Sequence, residues 1–201
     1  MRLIIGVTGN TASGKSEVAR IFREKGCALV DADKVAHELY ANNAGLLQQL
    51  ASEFGQEVLF PNGVLNRKRL GSEVFGNPQA LAALDRIVHP HLLVAIRERV
   101  FSARRVMNRV VLDAALIVEW GVQRELDCLV LVTAPEPLRL QRLMERDQLS
   151  LEEAQRRMRS QIPEAEKRAF ANFEIVNDAG RDELIQQADS VWESIEAKFS
   201  K

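Results

Sequence analysis

The sequence is poor in the residues that build disulfide frameworks and metal cages. Among 201 residues there are two cysteines and three histidines. Cys27 and Cys128 are far apart, and each opens an apolar run that reads as a buried strand. Both are expected as small core residues rather than disulfide partners, which fits a reducing cytoplasm. His37, His89 and His91 form no ligand pattern with the cysteines, and His89-Pro90 reads as a fixed backbone turn at a helix start. No stretch approaches the roughly 18 apolar residues of a membrane span. The N-terminal apolar run is too short for a signal peptide and has no small-residue cleavage pattern behind it. Internal repeats, low-complexity tracts and a lipidation box are also missing. The net charge is -1, so no global field draws the chain to nucleic acid or membrane, and any anion site must be local.

What is present is ordinary for a globular chain: 46% apolar and 27% charged residues. Short apolar runs alternate with helical patterns. Strands are expected at Leu3–Thr8, 27–30, 110–113, 128–132 and 174–177, and helices at 16–25, 137–147, 151–161 and Arg181–Phe199. The stretch 34–105 has no strong strand and carries helical patterns broken at Asn42-Asn43, Pro61-Asn62-Gly63, Gly76-Asn77-Pro78 and His89-Pro90. Continuous apolar strands separated by helices predict an α/β fold, a five-stranded parallel sheet covered on both faces, with ligands at the C-terminal strand ends. One domain is expected, with a core (1–33, 106–138, 168–201), a helical insertion (34–105) and a charged helix pair (139–167).

The most specific motif is Gly9-Asn10-Thr11-Ala12-Ser13-Gly14-Lys15-Ser16, which matches G-x-x-x-x-G-K-[ST] between a strand and an amphipathic helix. Such a loop curls so that successive backbone N–H groups form an anion nest. Gly14 permits close approach of the backbone to phosphate, Lys15 reaches the β- and γ-phosphates, and the Ser16 hydroxyl ligates magnesium. Glu17, directly after the loop, is counted with it. The implied ligand is ATP with Mg2+.

Several carboxylates fall at strand ends. Asp33 either caps a helix starting at Lys34 or serves as base or orienter for an attacking hydroxyl. Asp113 closes Val110-Val111-Leu112 and is either a metal-holding carboxylate or a cap. Glu119 is either a further cleft carboxylate or a plain surface glutamate. Arg139, Arg142, Arg146, Arg156, Arg157, Arg159 and Lys167 crowd the segment between strands four and five. Arg142 and Arg146, four apart, share a helical face. With Glu145, Glu152 and Glu153 nearby, this is either a solvated helix pair or a lid whose arginines stabilise charge on the transferring group.

Together these residues resemble the dephospho-coenzyme A kinase family over nearly the whole chain. Asp31-Ala32-Asp33-Lys34-Val35-Ala36-His37 is similar to its D-A-D-x-x-A-[RH] segment. Asn66-Arg67 with Val74-Phe75 resembles D-R…V-F, and Ile87-Val88-His89-Pro90 resembles I-x-H-P. Asp113 through Glu119 resembles D-x-P-L-L-F-E, and Arg142 with Arg146-Asp147 resembles R-x-x-x-R-D. Arg157, Gln161 and Lys167 match R-x-x-x-Q and a following K, and Asn177 matches a late asparagine. The chain departs from the family pattern at Asn10, Thr11, Ala12, Asn66, Ala115, Arg139 and Asn172. None of these departures removes Lys15, Ser16, Asp33, Arg142 or Arg146.

The resemblance implies a P-loop kinase that uses ATP and magnesium to phosphorylate the ribose 3′-hydroxyl of dephospho-coenzyme A. It implies Lys15, Asp33, Arg142 and Arg146 as catalytic residues, with Asp33 the base, and Asn177 near the adenine. It also implies that the 34–105 insertion receives the acceptor, with Asp33, His37, His89, Asp113 and Glu119 on the acceptor side. Ser16 and Asp113 remain for the metal. Two other readings stay open: a different nucleoside or metabolite kinase on this scaffold, and an ATP-binding regulator without transfer activity.

Overall fold

The computed structural model describes residues 2–199. Its chain order is β1 (Leu3–Thr8), α1 (Lys15–Glu24), β2 (Ala28–Asp31), α2 (Ala32–Asn42), α3 (Ala44–Phe54), α4 (Arg67–Val74), α5 (Pro78–Val106), β3 (Arg109–Asp113), β4 (Cys128–Thr133), α6 (Glu136–Asp147), α7 (Leu151–Arg159), α8 (Glu164–Arg168), β5 (Phe173–Val176) and α9 (Arg181–Phe199). All five strands are parallel, in the order β2-β3-β1-β4-β5. The α/β sheet predicted from the strand pattern is therefore present. From β1 the chain goes to β2 and β3 on one side of the sheet and then crosses to β4 and β5 on the other, so the crevice at the C-terminal end of β1 is the expected ligand position.

The chain divides into two compact units, one running to Asp31 and resuming at Val100, the other comprising Ala32–Arg99. In the first, β1 and β4 are buried along their full length. Their side chains form one core with Val18, Ala19 and Phe22 of α1 and Leu184, Ala188, Trp192 and Ile195 of α9. The Phe22 and Trp192 rings stack at a tilt, 5.4 Å between centroids. Burial of such side chains contributes roughly 1.5–3 kcal/mol each, which fixes the helix that follows the phosphate loop. Cys27 and Cys128 are both buried and free. Burial pushes each thiol up to about 12, so neither is a ready nucleophile at neutral pH.

The second unit is helical. Asn43 caps α3 by accepting from Leu46 N–H, and Asn66 caps α4 by accepting from Arg69 N–H. Asn caps about as well as Asp, so the Asn66 departure from the family pattern keeps its local role. Leu59 and Leu65 form a bridge around the Pro61-Asn62-Gly63 turn.

Two local expectations are corrected. Pro90 starts no helix; it lies inside the 29-residue α5. A mid-helix proline costs about 3 kcal/mol through its missing N–H and its clash with the preceding turn. Buried Ala83, Val88, Leu92 and Ile96 form one apolar stripe across the proline, and its burial offsets that cost. Asp33 does not precede a helix at Lys34, because α2 begins at Ala32 directly after β2. It sits in the first turn, where a negative charge still suits the helix dipole. The sequence pattern gives no sign of the short helix α8, which begins directly after Pro163 at its N-cap position.

Candidate active site

The phosphate loop joins β1 to α1, and Gly14 is the N-cap of α1 with φ 98°. A Cβ on Gly14 would lie 2.2 Å from the Asn177 amide nitrogen, so glycine is required for space as well as conformation. Ala12 also has positive φ, 61°, in a region costly for a residue with a Cβ. Not every loop amide faces inward. Thr11 N–H donates to Gln161 Oε1 at 2.7 Å, and Ser13 N–H to the Asn10 carbonyl at 3.0 Å. The nest falls to the remaining loop amides and the first turn of α1, where Lys15 and Ser16 have no carbonyl one turn back to bond.

Lys15 Nζ lies 3.5 Å from Asp113 Oδ1 and 3.5 Å from Ser16 Oγ. Asp113 is buried and, as the last residue of β3, pairs in register with Asp31 on one side and Val7 on the other. Two carboxylates therefore sit side by side at the strand ends beside the phosphate loop. Just beyond, Lys167 is fully buried. It donates to the Ala115 carbonyl at 2.6 Å and pairs with Glu119 at 2.9 Å. Thr8 Oγ1 donates to the same carbonyl at 3.1 Å. Burial pulls the Lys167 pKa down, Glu119 opposes that, and the Lys15 and Arg139 charges add to it. Glu119 is thus the partner of a buried lysine rather than a plain surface glutamate.

A cleft of about 370 Å³ opens over the loop, within the usual range for small-molecule sites. Residues Ala12 to Glu17, Arg142, Arg146, Asn177 and the start of α9 line it. Asn177 donates its amide to the Ser13 carbonyl at 2.8 Å, and Arg142 donates to both the backbone and side-chain oxygens of Asn177 at 3.4 Å. Arg146 forks onto Asp147 at 2.7 and 2.9 Å, and Arg157 reaches the same carboxylate. The Arg146 hydrogen bonds, with Arg157 in support, hold Asp147 below its ordinary pKa despite partial burial. Burial raises the Glu17 pKa, but bonds from Arg20 and Arg181 outweigh it, and the net shift is downward. Glu17 therefore lines the cleft as an ion-paired carboxylate.

The sequence-predicted residues separate into groups. Lys15, Ser16, Asp113, Arg142, Arg146 and Asn177 come together in the first unit. Asp33 and His37 are exposed on α2 of the helical unit, and half-buried His89 there contacts Asp85 at 3.0 Å. Arg139 and Lys167, counted with the charged helix pair, are buried instead, with Arg139 donating to the Ala134 carbonyl. Gln161 enters the sequence reading only through the family pattern, and Lys167 through that pattern and the basic cluster. The polar Gln161 directly after a helix end was the available signal for a site role; nothing local marks Lys167 as buried. Asn172 N–H and Oδ1 bond the backbone of Leu129, both at 2.8 Å, so the Asn there serves the β4–β5 junction.

A family model for dephospho-CoA kinase matches residues 3–183. The chain belongs to the dephospho-CoA kinase family. A dephospho-CoA kinase from Syntrophotalea carbinolica is 40% identical over 186 residues, covering 92% of this chain and 88% of the relative. A crystal structure from Thermus thermophilus superposes with TM-score 0.78 at 33% identity, covering 98% of both chains. The dephospho-CoA kinase from Campylobacter jejuni superposes with TM-score 0.62 at 29% identity over 96% of this chain and 97% of that one. Membership in this kinase family gives the strand–loop–helix motif its meaning as an ATP site. Among the described residues no helix is long and apolar enough to cross a membrane.

Proposed function

We propose that this protein transfers the γ-phosphoryl group of ATP to the ribose 3′-hydroxyl of dephospho-coenzyme A, releasing coenzyme A and ADP in the last step of coenzyme A biosynthesis. The observation that carries this reading is one cleft holding the phosphate loop, Lys15, Arg142 and Arg146 in a chain of the dephospho-CoA kinase family. The 3′-oxygen forms the new bond to the γ-phosphorus. The bond from that phosphorus to the β–γ bridging oxygen breaks, leaving its electron pair on ADP. The hydroxyl proton passes to the Asp33 carboxylate, which also aligns the attacking oxygen.

Charge on the transferring group is stabilised by Lys15 and by Arg142 and Arg146, with segment 139–167 acting as a lid. Gly9 through Glu17 and Asn177 form the nucleotide side. His37, His89, Asp113 and Glu119 belong to the acceptor side, and the 34–105 segment receives the acceptor. Magnesium fits the oxygen donors here, Ser16 and Asp113. No group of three metal-ligating residues is gathered among the described ones, and magnesium is commonly held by one or two protein oxygens plus substrate phosphates. The free, buried cysteines support a reducing cytoplasm as the working compartment.

The test is transfer from ATP with magnesium, measured with dephospho-coenzyme A, with free nucleosides and with no acceptor. Coenzyme A formation far above the nucleoside rate is expected. Preferred phosphorylation of a nucleoside, or nucleotide binding with no transfer to any acceptor, would overturn the assignment.

A further inference from the structure

Asn177 follows the last residue of β5, and its backbone N–H donates to the Thr133 carbonyl at 2.8 Å, closing the end of β4 and β5. Its side chain is 7% exposed. The amide nitrogen lies against Gly14 and donates to the Ser13 carbonyl inside the phosphate loop. Its oxygen, with its own backbone carbonyl, receives the two donors of the Arg142 guanidinium. An amide engaged at both ends and this deeply buried has little polar edge left for a nucleobase. Its placement instead spans the two groups on which phosphate binding depends. One is the loop, whose backbone conformation the Ser13 bond holds. The other is a cation on α6.

We infer that Asn177 is a positioning residue that registers Arg142 against the phosphate loop, and that it does not read the base. The inference rests on the proposed role of Arg142 in stabilising the transferring phosphoryl group. With Asn177 in place, the forked contact confines the guanidinium above Ser13 and Gly14, so less of its side-chain freedom is lost when charge develops. Without it, Arg142 can still meet the phosphate but from a wider set of positions. The effect then belongs to turnover more than to nucleotide affinity.

The experiment compares Asn177→Ala, Asn177→Asp, Arg142→Ala and the double variant Asn177→Ala/Arg142→Ala, with kcat and KM measured for both ATP and GTP. Asn177→Ala is expected to lower kcat about 10-fold while the ATP KM moves less than about threefold, a split typical of lost transition-state positioning. The ATP-to-GTP preference should stay as in the wild type. Asn177→Asp keeps an acceptor for Arg142 but sets an oxygen against the Ser13 carbonyl, so it should recover only part of the loss. The double variant should be no slower than Arg142→Ala to within about twofold, because coupled residues are not additive. Additive losses, or a relaxed ATP-to-GTP preference in Asn177→Ala, would overturn the inference while leaving the lid reading intact. Wild-type kcat in Arg142→Ala would remove the lid reading and this inference with it.

Discussion

The two compact units bury different chemistry. Thr8, Asn10, Ser13, Asp113, Thr133, Arg139, Lys167 and Asn177 are the buried polar residues among those described, and all belong to the nucleotide-binding unit. The helical unit buries apolar side chains such as Leu46, Leu50, Val58, Leu70 and Ile96. It keeps Asp33 and His37 exposed and His89 half-exposed on helix surfaces. Burying a polar group costs free energy unless hydrogen bonds or charge partners replace water. The first unit therefore holds a set of preorganised polar contacts, whereas the helical unit is built from ordinary caps and apolar stripes. A charged or polar ligand group is met in the first by groups already fixed, and in the second by side chains that water still reaches.

Four substitutions test how far that contrast governs function, beginning with the largest effect. Lys15→Ala should lower turnover by about 10²–10³-fold, since a preorganised cation at the transferring group contributes roughly 3–4 kcal/mol. Steady-state assays beside a melting curve close to wild type would check it, and activity within a few-fold of wild type would reject the phosphate-loop assignment.

Asp33→Asn is the direct challenge to the contrast, because it places an indispensable group on the exposed surface of the helical unit. Turnover should fall about 100-fold, the lower end for a positioned acid–base group. ATP affinity, carried by residues 9–16, should be unchanged. Asp33 lies inside the first turn of α2, so a purely structural role predicts only a small stability change. Normal turnover would return the residue to that role.

Lys167→Met should act on stability first. Removing one member of a buried ion pair strands the other, at a cost of about 3 kcal/mol. For a chain of this size that lowers the melting temperature by about 6–12 °C. Adding Glu119→Gln should restore more than half of the loss, because the stranded carboxylate is gone. No recovery in the double variant would show that the Ala115 and Thr8 contacts, not the charge pair, hold this region.

The smallest effect is expected at Ala12→Gly. Relief of a left-handed alanine contributes about 1–2 kcal/mol, and added unfolded-state freedom subtracts about 0.5–1 kcal/mol. A net gain of up to about 1.5 kcal/mol in denaturant unfolding is predicted. A loss would mean that the Ala12 methyl makes contacts worth more than its strain.

Much of this protein is written locally. The run Leu3–Thr8 followed by G-x-x-x-x-G-K-S specifies a strand, an anion-binding turn and a helix through short-range sterics, and the helix at Arg181–Phe199 follows from its apolar spacing. The positions of Asp113 and Arg142 could be read in the same way, from the ends and faces of elements. Three of the features that escaped share one reason. The continuity of α5 through Pro90 depends on burial along both halves of the helix. The burial of Lys167 depends on Glu119 and the Ala115 carbonyl, tens of residues away. The diversion of the Thr11 N–H depends on Gln161, 150 residues along the chain. Propensity and spacing act over a few residues, so they determined which elements form and which residues bear charge. Desolvation and hydrogen-bond satisfaction act between elements, so only the tertiary structure decided which of those charges are buried, which amides remain for phosphate, and that Asn177 lies between the loop and Arg142.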